Sequence, residues 1–568
     1  MIYFLYSEFL MAKPPHVIDI KVDANETIDI LLYQVYNEFK MEFEGARIGL
    51  ARLSLYPLPS NPPIQLPPLE TVTAVPERVE KYLQSHCPTE ALVIDRLSDY
   101  IHEGESPRRV HFVLDISDEP VATLDKAEQT QLKVIDAAFE AQAPSSVSAN
   151  VRTFKKEQQE RPIYNGRDGF DGPPITLYSS IFAELKENLA NLSAVTPNAE
   201  ELGQTEAKVI LDGSVFAVTE GNNRPIVLLE WKNELGIGGD PSLQIALTYR
   251  KYIAQKIFTR IRNASNCPCI LIAIGGPHIC ILGAIFVDIV IVQPLTGYLL
   301  LGGNPLKREA ADHIARIFHV VAKAVGKLDA MYMKLKPSEI PVHNRLLPSP
   351  TYRPGSTFED QDALSPLNLK FERRYDYKGR HPQEYQRPIF LGTLRGRDVV
   401  IKFCEAYGVQ AHKLLADQDP PLAPKLHLAV MVRGGLTMVV MDRIEGQNAF
   451  SRFGKSYPRD SVSPSEVEDL SFNKVKVDVK KAIDLLHASN LVFGDLRRPN
   501  IMVVRRPGTG DASEYDGGML IDFDWAGPVG QTKYPSVIND SGEIDWAEGV
   551  KAGALIEKHH DLVMYQRL

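Results

Sequence analysis

Asp495, Asn500 and Asp522 stand at a spacing that suits chemistry on a triphosphate. Moving a phosphoryl group from ATP to a hydroxyl needs a carboxylate beside the attacking oxygen, and two further oxygen ligands to hold magnesium against the phosphates. Asp495 suits the first task, Asn500 and Asp522 the second. The short step from Asp495 to Asn500 lets one tight loop aim both side chains inward. The apolar runs IMVV and MLI around it read as a hairpin that carries the loop, with Asp516, Gly517 and Gly518 as a loop between them.

A second constellation lies upstream. In VILDGSVFAVTEGNNRPIVLLEWKNEL the apolar runs read as two strands joined by a turn at Gly221-Asn222-Asn223. Asp212 ends the first strand region and Glu230-Trp231-Lys232 ends the next. Residues two apart on a strand point the same way, so Glu230 and Lys232 face one site, and cross-strand pairing can bring Asp212 alongside Glu230. Asp212 and Glu230 are candidate magnesium ligands, and Lys232 can orient the water and offset charge at a scissile phosphodiester. The helix-like SLQIALTYRKYIA adds Gln244, and SSIFAELKENLANL offers Glu184 or Glu187 as a further acid.

The elements that must position the first group resemble those of protein kinases. Phe493-Gly494-Asp495 stands in for the catalytic His-Arg-Asp and Asp522-Phe523-Asp524 for Asp-Phe-Gly. The resemblance implies ATP and Mg2+ as cofactors, and a third-strand lysine, Lys402 in RDVVIKF, on the nucleotide's phosphates. It also implies that Arg497 steadies the transferring group, where many kinases place a lysine. The next helix, expected over 406–416, should carry a glutamate for Lys402, yet its expected inward residue is Gln410, with Glu405 just before it. A glutamine accepts a hydrogen bond but forms no ion pair. The phosphate-covering segment PIFLGTLRGRDVV holds only Gly392 and Gly396. Fewer than fifty residues follow Asp522, which predicts an atypical kinase, and Asp561 is a candidate brace for the catalytic loop.

Asp212, Glu230, Lys232 and Gln244 together resemble the PD-(D/E)xK restriction-endonuclease-like fold, which implies metal-dependent DNA cleavage. Before them, HVIDIKVDANETIDILLYQVYNEF, ARLSLYPL, VIDRLSDYI and VHFVLDIS read as strand, helix, strand, helix and closing strand, suiting a small ubiquitin-like roll. These pieces are similar to the N-terminal domain of the Crinkler family, with LSLYPL in place of its Leu-Trp-Lys-Val stretch. Its Leu-Phe-Leu-Ala-Lys motif is not present as such, and only EFLMAK stands near it. Crinkler-like proteins carry that domain ahead of nuclease-like and kinase-like modules. The resemblance implies an effector or toxin that is secreted to a host or target cell, often acts in its nucleus, and has DNA, ATP and host proteins as partners.

Composition agrees with several domains. A chain of 568 residues is too long for one core, and 44% apolar with 24% charged residues is globular. A formal charge of −9 argues against a chain that coats nucleic acid nonspecifically. Five cysteines, sparse and unevenly spaced, predict no disulfide scaffold. The opening MIYFLYSEFLMAKPP has no basic n-region and reads as no secretory signal, leaving an intracellular protein as the alternative. The apolar run from Cys269 to Leu295 is broken at Gly275-Gly276-Pro277-His278 and holds Asp288, which predicts two or three core strands and no membrane span. Cys267, Cys269, His278 and Cys280 have the makings of a zinc site, but buried strand cysteines fit better. The expected architecture is α+β and multidomain: a ubiquitin-like, Crinkler-type domain over 1–117, a helical connector over 118–175, the nuclease-like domain over 176–335, a linker over 336–370 and the kinase-like domain over 371–568. The competing class is a non-catalytic interaction protein that binds ATP, DNA or partner proteins.

Overall fold

The computed structural model describes residues 2–6, 18–21, 53–57 and 112–116. It also describes, with short internal gaps, residues 126–139, 145–195, 208–335, 345–352, 368–375, 388–454, 466–506 and 515–568. The chain is mixed α/β. It divides into two compact units, with the break between Pro350 and Thr351.

The first unit opens with β1 (Ile2–Tyr6), β2 (Ile18–Lys21), β3 (Leu53–Pro57) and β4 (Phe112–Ile116). They form a sheet of order β2-β1-β4-β3, in which β1 and β4 run parallel and the outer pairings are antiparallel. The opening IYFLY is thus an inner strand, as its β-branched and aromatic residues favour. The helix expected between β2 and β3 lies outside the described residues.

A larger sheet follows. Strands β5 (Lys208–Ile210), β6 (Ser214–Thr219), β7 (Asn222–Lys232), β8 (Cys269–Gly275), β9 (His278–Phe286) and β10 (Val290–Pro294) lie in the order β10-β9-β8-β7-β6-β5, with β11 (Leu299–Leu300) also on β9. Helices α1 (Lys126–Phe139), α2 (Val151–Glu160), α3 (Ser180–Ala190), α4 (Pro241–Ala254) and α5 (Arg308–Met333) accompany it. β7 and β8 are parallel, so the chain must cross over between them, and α4 makes that crossover. Asp240 caps α4 by accepting from the Ser242 amide at 2.8 Å, with Pro241 in the first turn. β9 is buried at eight consecutive positions after His278, so both of its faces are covered, and the apolar run from Cys269 to Leu295 is three core strands. Gly275↔His278 closes the β8–β9 hairpin across a two-residue turn in which Gly276 takes φ 54°. Among the described residues no helix is long and apolar enough to cross a membrane.

The described residues of 118–175 do more than connect. Glu157 of α2 pairs with Arg161 and with Arg250 of α4, and Tyr164 bridges to Ile291 beside β10. This segment is part of the core that supports the larger sheet.

The second unit begins with β12 (Leu369–Arg374), β13 (Ile389–Leu394), β14 (Arg397–Cys404), α6 (Val409–Ala416), β15 (Leu426–Val432) and β16 (Leu436–Asp442). The strands form an antiparallel sheet of order β12-β13-β14-β16-β15. Then come α7 (Ala449–Phe453), α8 (Glu466–Ala488), β17 (Leu491–Val492), β18 (Ile501–Arg506), β19 (Tyr515–Leu520), β20 (Gly527–Pro528) and α9 (Lys558–Gln566). α8 buries Val475, Val479, Ala482, Ile483 and Leu486, a stripe at helical spacing against which β19 packs. Each of its larger side chains contributes about 2 kcal/mol of burial.

Asp516, Gly517 and Gly518 are not the expected loop. They lie within β19, paired with Arg505, Val504 and Val503 of β18. Gly518 is required by packing, because a Cβ there would stand 2.9 Å from the Val475 carbonyl of α8.

Candidate active site

β14 sorts its side chains by strand alternation. Val399, Ile401 and Phe403 are buried on one face, and Lys402 projects from the other. Its ammonium contacts Asp522 and lies 2.7 Å from Asp524. Burial works against the charged lysine, but the two carboxylates prevail and hold it protonated above its ordinary range. Burial, and then the neighbouring charge of Asp522, raise Asp524 above the usual carboxylate range. Asp522 sits at φ 70°, ψ 67°, a left-handed conformation that costs an aspartate on the order of 1 kcal/mol and turns its side chain out of the chain path.

The loop between β17 and β18 is tied from three directions. Asn500 donates through Nδ2 to the Asp495 main-chain oxygen at 3.0 Å and to its Oδ2 at 2.8 Å. Arg497 forks onto the same carboxylate, with Nη2 2.6 Å from Oδ2, and its guanidinium lies 5.3 Å from the centre of the Trp546 ring. Asp561 of α9 is buried and accepts from the amides of Phe493 at 2.9 Å and Gly494 at 2.8 Å, so it does brace this loop. Gly494 takes φ 84°, and a Cβ there would meet Ile556 at 2.9 Å, so both the backbone and the packing favour glycine at this position. The Ile521 amide donates to the Asn500 carbonyl at 3.0 Å, and β17 pairs with β20, which joins the loop to the Asp522 turn.

Phe523 is fully buried between Phe493, whose ring centre is 5.4 Å away, and His412, which stacks on it at 4.5 Å. Since the Pro424 carbonyl can only accept, His412 Nε2 carries the proton and donates to it at 2.8 Å, while Nδ1 accepts from the Tyr407 hydroxyl at 2.8 Å. Burial lowers this imidazole from 6.5 to about 4.

Three expectations change here. α6 starts at Val409, and its inward residues are Ala411, His412 and Leu415; Gln410 is exposed, as is Glu405. Gly392 lies inside β13, where a Cβ would stand 2.1 Å from the Lys370 carbonyl of β12, so sheet packing alone demands glycine there. Gly396 and Arg395, both at positive φ, form the two-residue turn between β13 and β14. The sequence pattern did not point to Asp524 as a partner of Lys402; the available signal was an aspartate in the third place of Asp-Phe-Gly.

In the first unit, β7 brings Glu230 and Lys232 together at 3.5 Å on one face, and the intervening Trp231 is 66% exposed. Asp212 lies outside the described residues. It precedes Ser214 by two positions, and Ser214 pairs with Leu228, two positions before Glu230. Gln244 is half-buried on α4, and its Oε1 is enclosed without a hydrogen-bond partner among the described residues. Glu184 of α3 is engaged by Lys327 of α5. Cys267, Cys269 and Cys280 are buried free thiols, and no group of three or more His, Cys, Asp or Glu suited to a metal occurs among the described residues.

No family model matches the chain, and no curated protein matches it. Among solved structures, the Cydia pomonella granulovirus kinase PK-1 is similar over 30% of this chain and 58% of that one, at 16% identity and a TM-score of 0.21. The match thus spans a little over half the length of that kinase.

Proposed function

We propose that residues 371–568 form a protein-kinase-like phosphotransferase acting on Mg-ATP. The observation that carries the reading is the contact of Lys402 with Asp522, which joins the third strand of the sheet to the turn after β19. The donor set fits magnesium, which takes one or two protein oxygens and completes its shell with phosphates and water. Asn500 spends its nitrogen on Asp495, and among the described residues no donor is bonded to its Oδ1, so that oxygen and the Asp522 carboxylate would hold the ion. The bound ion supplies charge neutralisation at the phosphates. Lys402 gives up a carboxylate oxygen for phosphate oxygens, and Arg497 releases one oxygen of Asp495 and turns to the transferring group. Asp495 then takes the proton of the substrate hydroxyl as that oxygen bonds to the γ-phosphorus and the bond to ADP breaks. Asp495→Ala should abolish incorporation from labelled ATP while nucleotide binding persists, and Lys402→Ala should weaken both. Equal labelling by wild type and Asp495→Ala would defeat the catalytic reading and leave a nucleotide-binding module.

A second reading is favoured by the Glu230–Lys232 pair at the end of β7, followed by the crossover helix α4 with Gln244 and the parallel strand β8. These features support the reading of a PD-(D/E)xK site, in which Asp212 and Glu230 would be the magnesium ligands and Lys232 would act on the attacking water. With no cluster of three ligands among the described residues, Asp212 is the position on which the metal depends. The purified chain should nick plasmid DNA with magnesium and lose this activity in Lys232→Ala; nicking at the wild-type rate by that variant would leave a DNA-binding module or a relic. The mixed sheet of β1–β4, its inner strands parallel, supports a ubiquitin-like N-terminal domain ahead of both modules. That order is the one on which a Crinkler-like effector, working on DNA and proteins inside a target cell, is proposed.

A further inference from the structure

We propose that Asp524 is a positioning residue: it supplies to Lys402 the carboxylate that a helix glutamate supplies in the kinase pattern. The inference rests on the kinase-like reading above. α6 reads VQAHKLLA and has no acidic residue. Gln410 and Glu405 are exposed, and the buried polar residue of α6, His412, has both nitrogens engaged by Tyr407 and Pro424. The ion pairs of Lys402 are with Asp522 and Asp524 alone among the described residues, and Asp522 is the proposed magnesium ligand. Once Asp522 turns to the metal, Asp524 is the carboxylate left to fix a long, flexible lysine stem that otherwise samples many rotamers.

Asp524 is itself well anchored. It lies in the short helical turn Phe523–Trp525, beside the fully buried Phe523. The Phe523 carbonyl accepts from the Gly408 amide at 2.9 Å and from the Ala526 amide at 3.2 Å. Gly408 has no alternative there, since a Cβ would stand 2.5 Å from the Ala526 carbonyl. In kinases the lysine–glutamate pair and the metal-bound aspartate are brought together by moving the helix. Here the lysine's partner and the metal ligand are two residues apart in one turn, so they assemble as one unit whatever α6 does.

The test uses the full chain and labelled Mg-ATP. Asp524→Asn should lower turnover by roughly tenfold or more and leave the KM for ATP within about threefold, because the pair orients phosphates already bound. Asp524→Glu, which keeps the charge, should recover part of that loss, and Gln410→Ala should behave as wild type. Melting midpoints close to wild type separate positioning from misfolding; if Asp524→Asn unfolds, Asp524→Gly, with the residue the kinase pattern has here, replaces it in the same comparison. Wild-type turnover in a folded Asp524→Asn or Asp524→Gly chain overturns the proposal, as does a loss that Asp524→Glu shares in full. If the wild type neither binds Mg-ATP nor incorporates label, the kinase-like reading itself fails and takes this inference with it; an active wild type beside an unaffected Asp524 variant overturns the inference alone.

Discussion

His412 and Glu157 tie the two units to pH in different windows. The His412 ring takes its proton near 4 instead of 6.5, because burial disfavours the imidazolium. A histidine depressed in this way contributes stability that is full above pH 6.5 and is lost as the pH falls toward 4, a change on the order of 3 kcal/mol. Resistance of the second unit to urea should therefore weaken between pH 7 and pH ~4.5, and His412→Gln should flatten that loss. Burial alone would raise Glu157, but hydrogen bonds and charge from Arg161 and Arg250 outweigh it and hold the carboxyl at about 2, against an ordinary 4.5. Its contribution is intact above pH 4.5 and disappears only toward pH 2, so it outlasts that of His412 as acid is added. Glu157→Gln leaves Arg250, which is 2% exposed, without its counter-charge, and should cost about 3 kcal/mol at pH 7.

At the level of elements, close approach explains what local pattern misses. Gly518→Ala should destabilise the second unit by roughly 1–3 kcal/mol in denaturant unfolding, because the Val475 carbonyl of α8 stands where the new methyl group would go. Asp516, Gly517 and Gly518 read as a loop because glycine beside aspartate is a turn signal, while the demand for a bare backbone comes from a helix some forty residues upstream. Gly392, expected over the phosphates, is likewise constrained from outside its own segment, by the Lys370 carbonyl across the sheet. What the sequence did carry was local: the broken apolar run that became β8, β9 and β10, the Glu230–Lys232 step on β7, and the Asp495-to-Asn500 spacing that sets the two side chains in hydrogen-bond contact. Gln410, expected inward, is exposed because α6 packs through Ala411, His412 and Leu415, a face chosen by the surrounding core. The aspartate in the third place of Asp-Phe-Gly marks Asp524 as unusual, but no spacing rule links it to a strand residue so far back along the chain, so its pairing with Lys402 needs the fold.

For the whole molecule, two units with separate candidate chemistries predict separable losses. Lys232→Ala should leave phosphate incorporation at the wild-type level, and Asp495→Ala should leave plasmid nicking untouched, because substitutions in different units that share no partner act additively. Nicking should also fall steeply with added salt, whereas labelling should change little, since only the first depends on displacing counterions from a phosphate backbone. A surface loop ordinarily exchanges its amide protons with solvent quickly, but in the Asp495 loop the amides of Phe493 and Gly494 are held by the carboxylate of Asp561, buried at 1% exposure in α9. Deuterium can reach them only when α9 lifts away. In a hydrogen-exchange experiment these two amides should therefore rank with the slowest core amides of the second unit and report its cooperative opening, and Asp561→Asn should convert them to fast exchangers well before the unit as a whole comes apart.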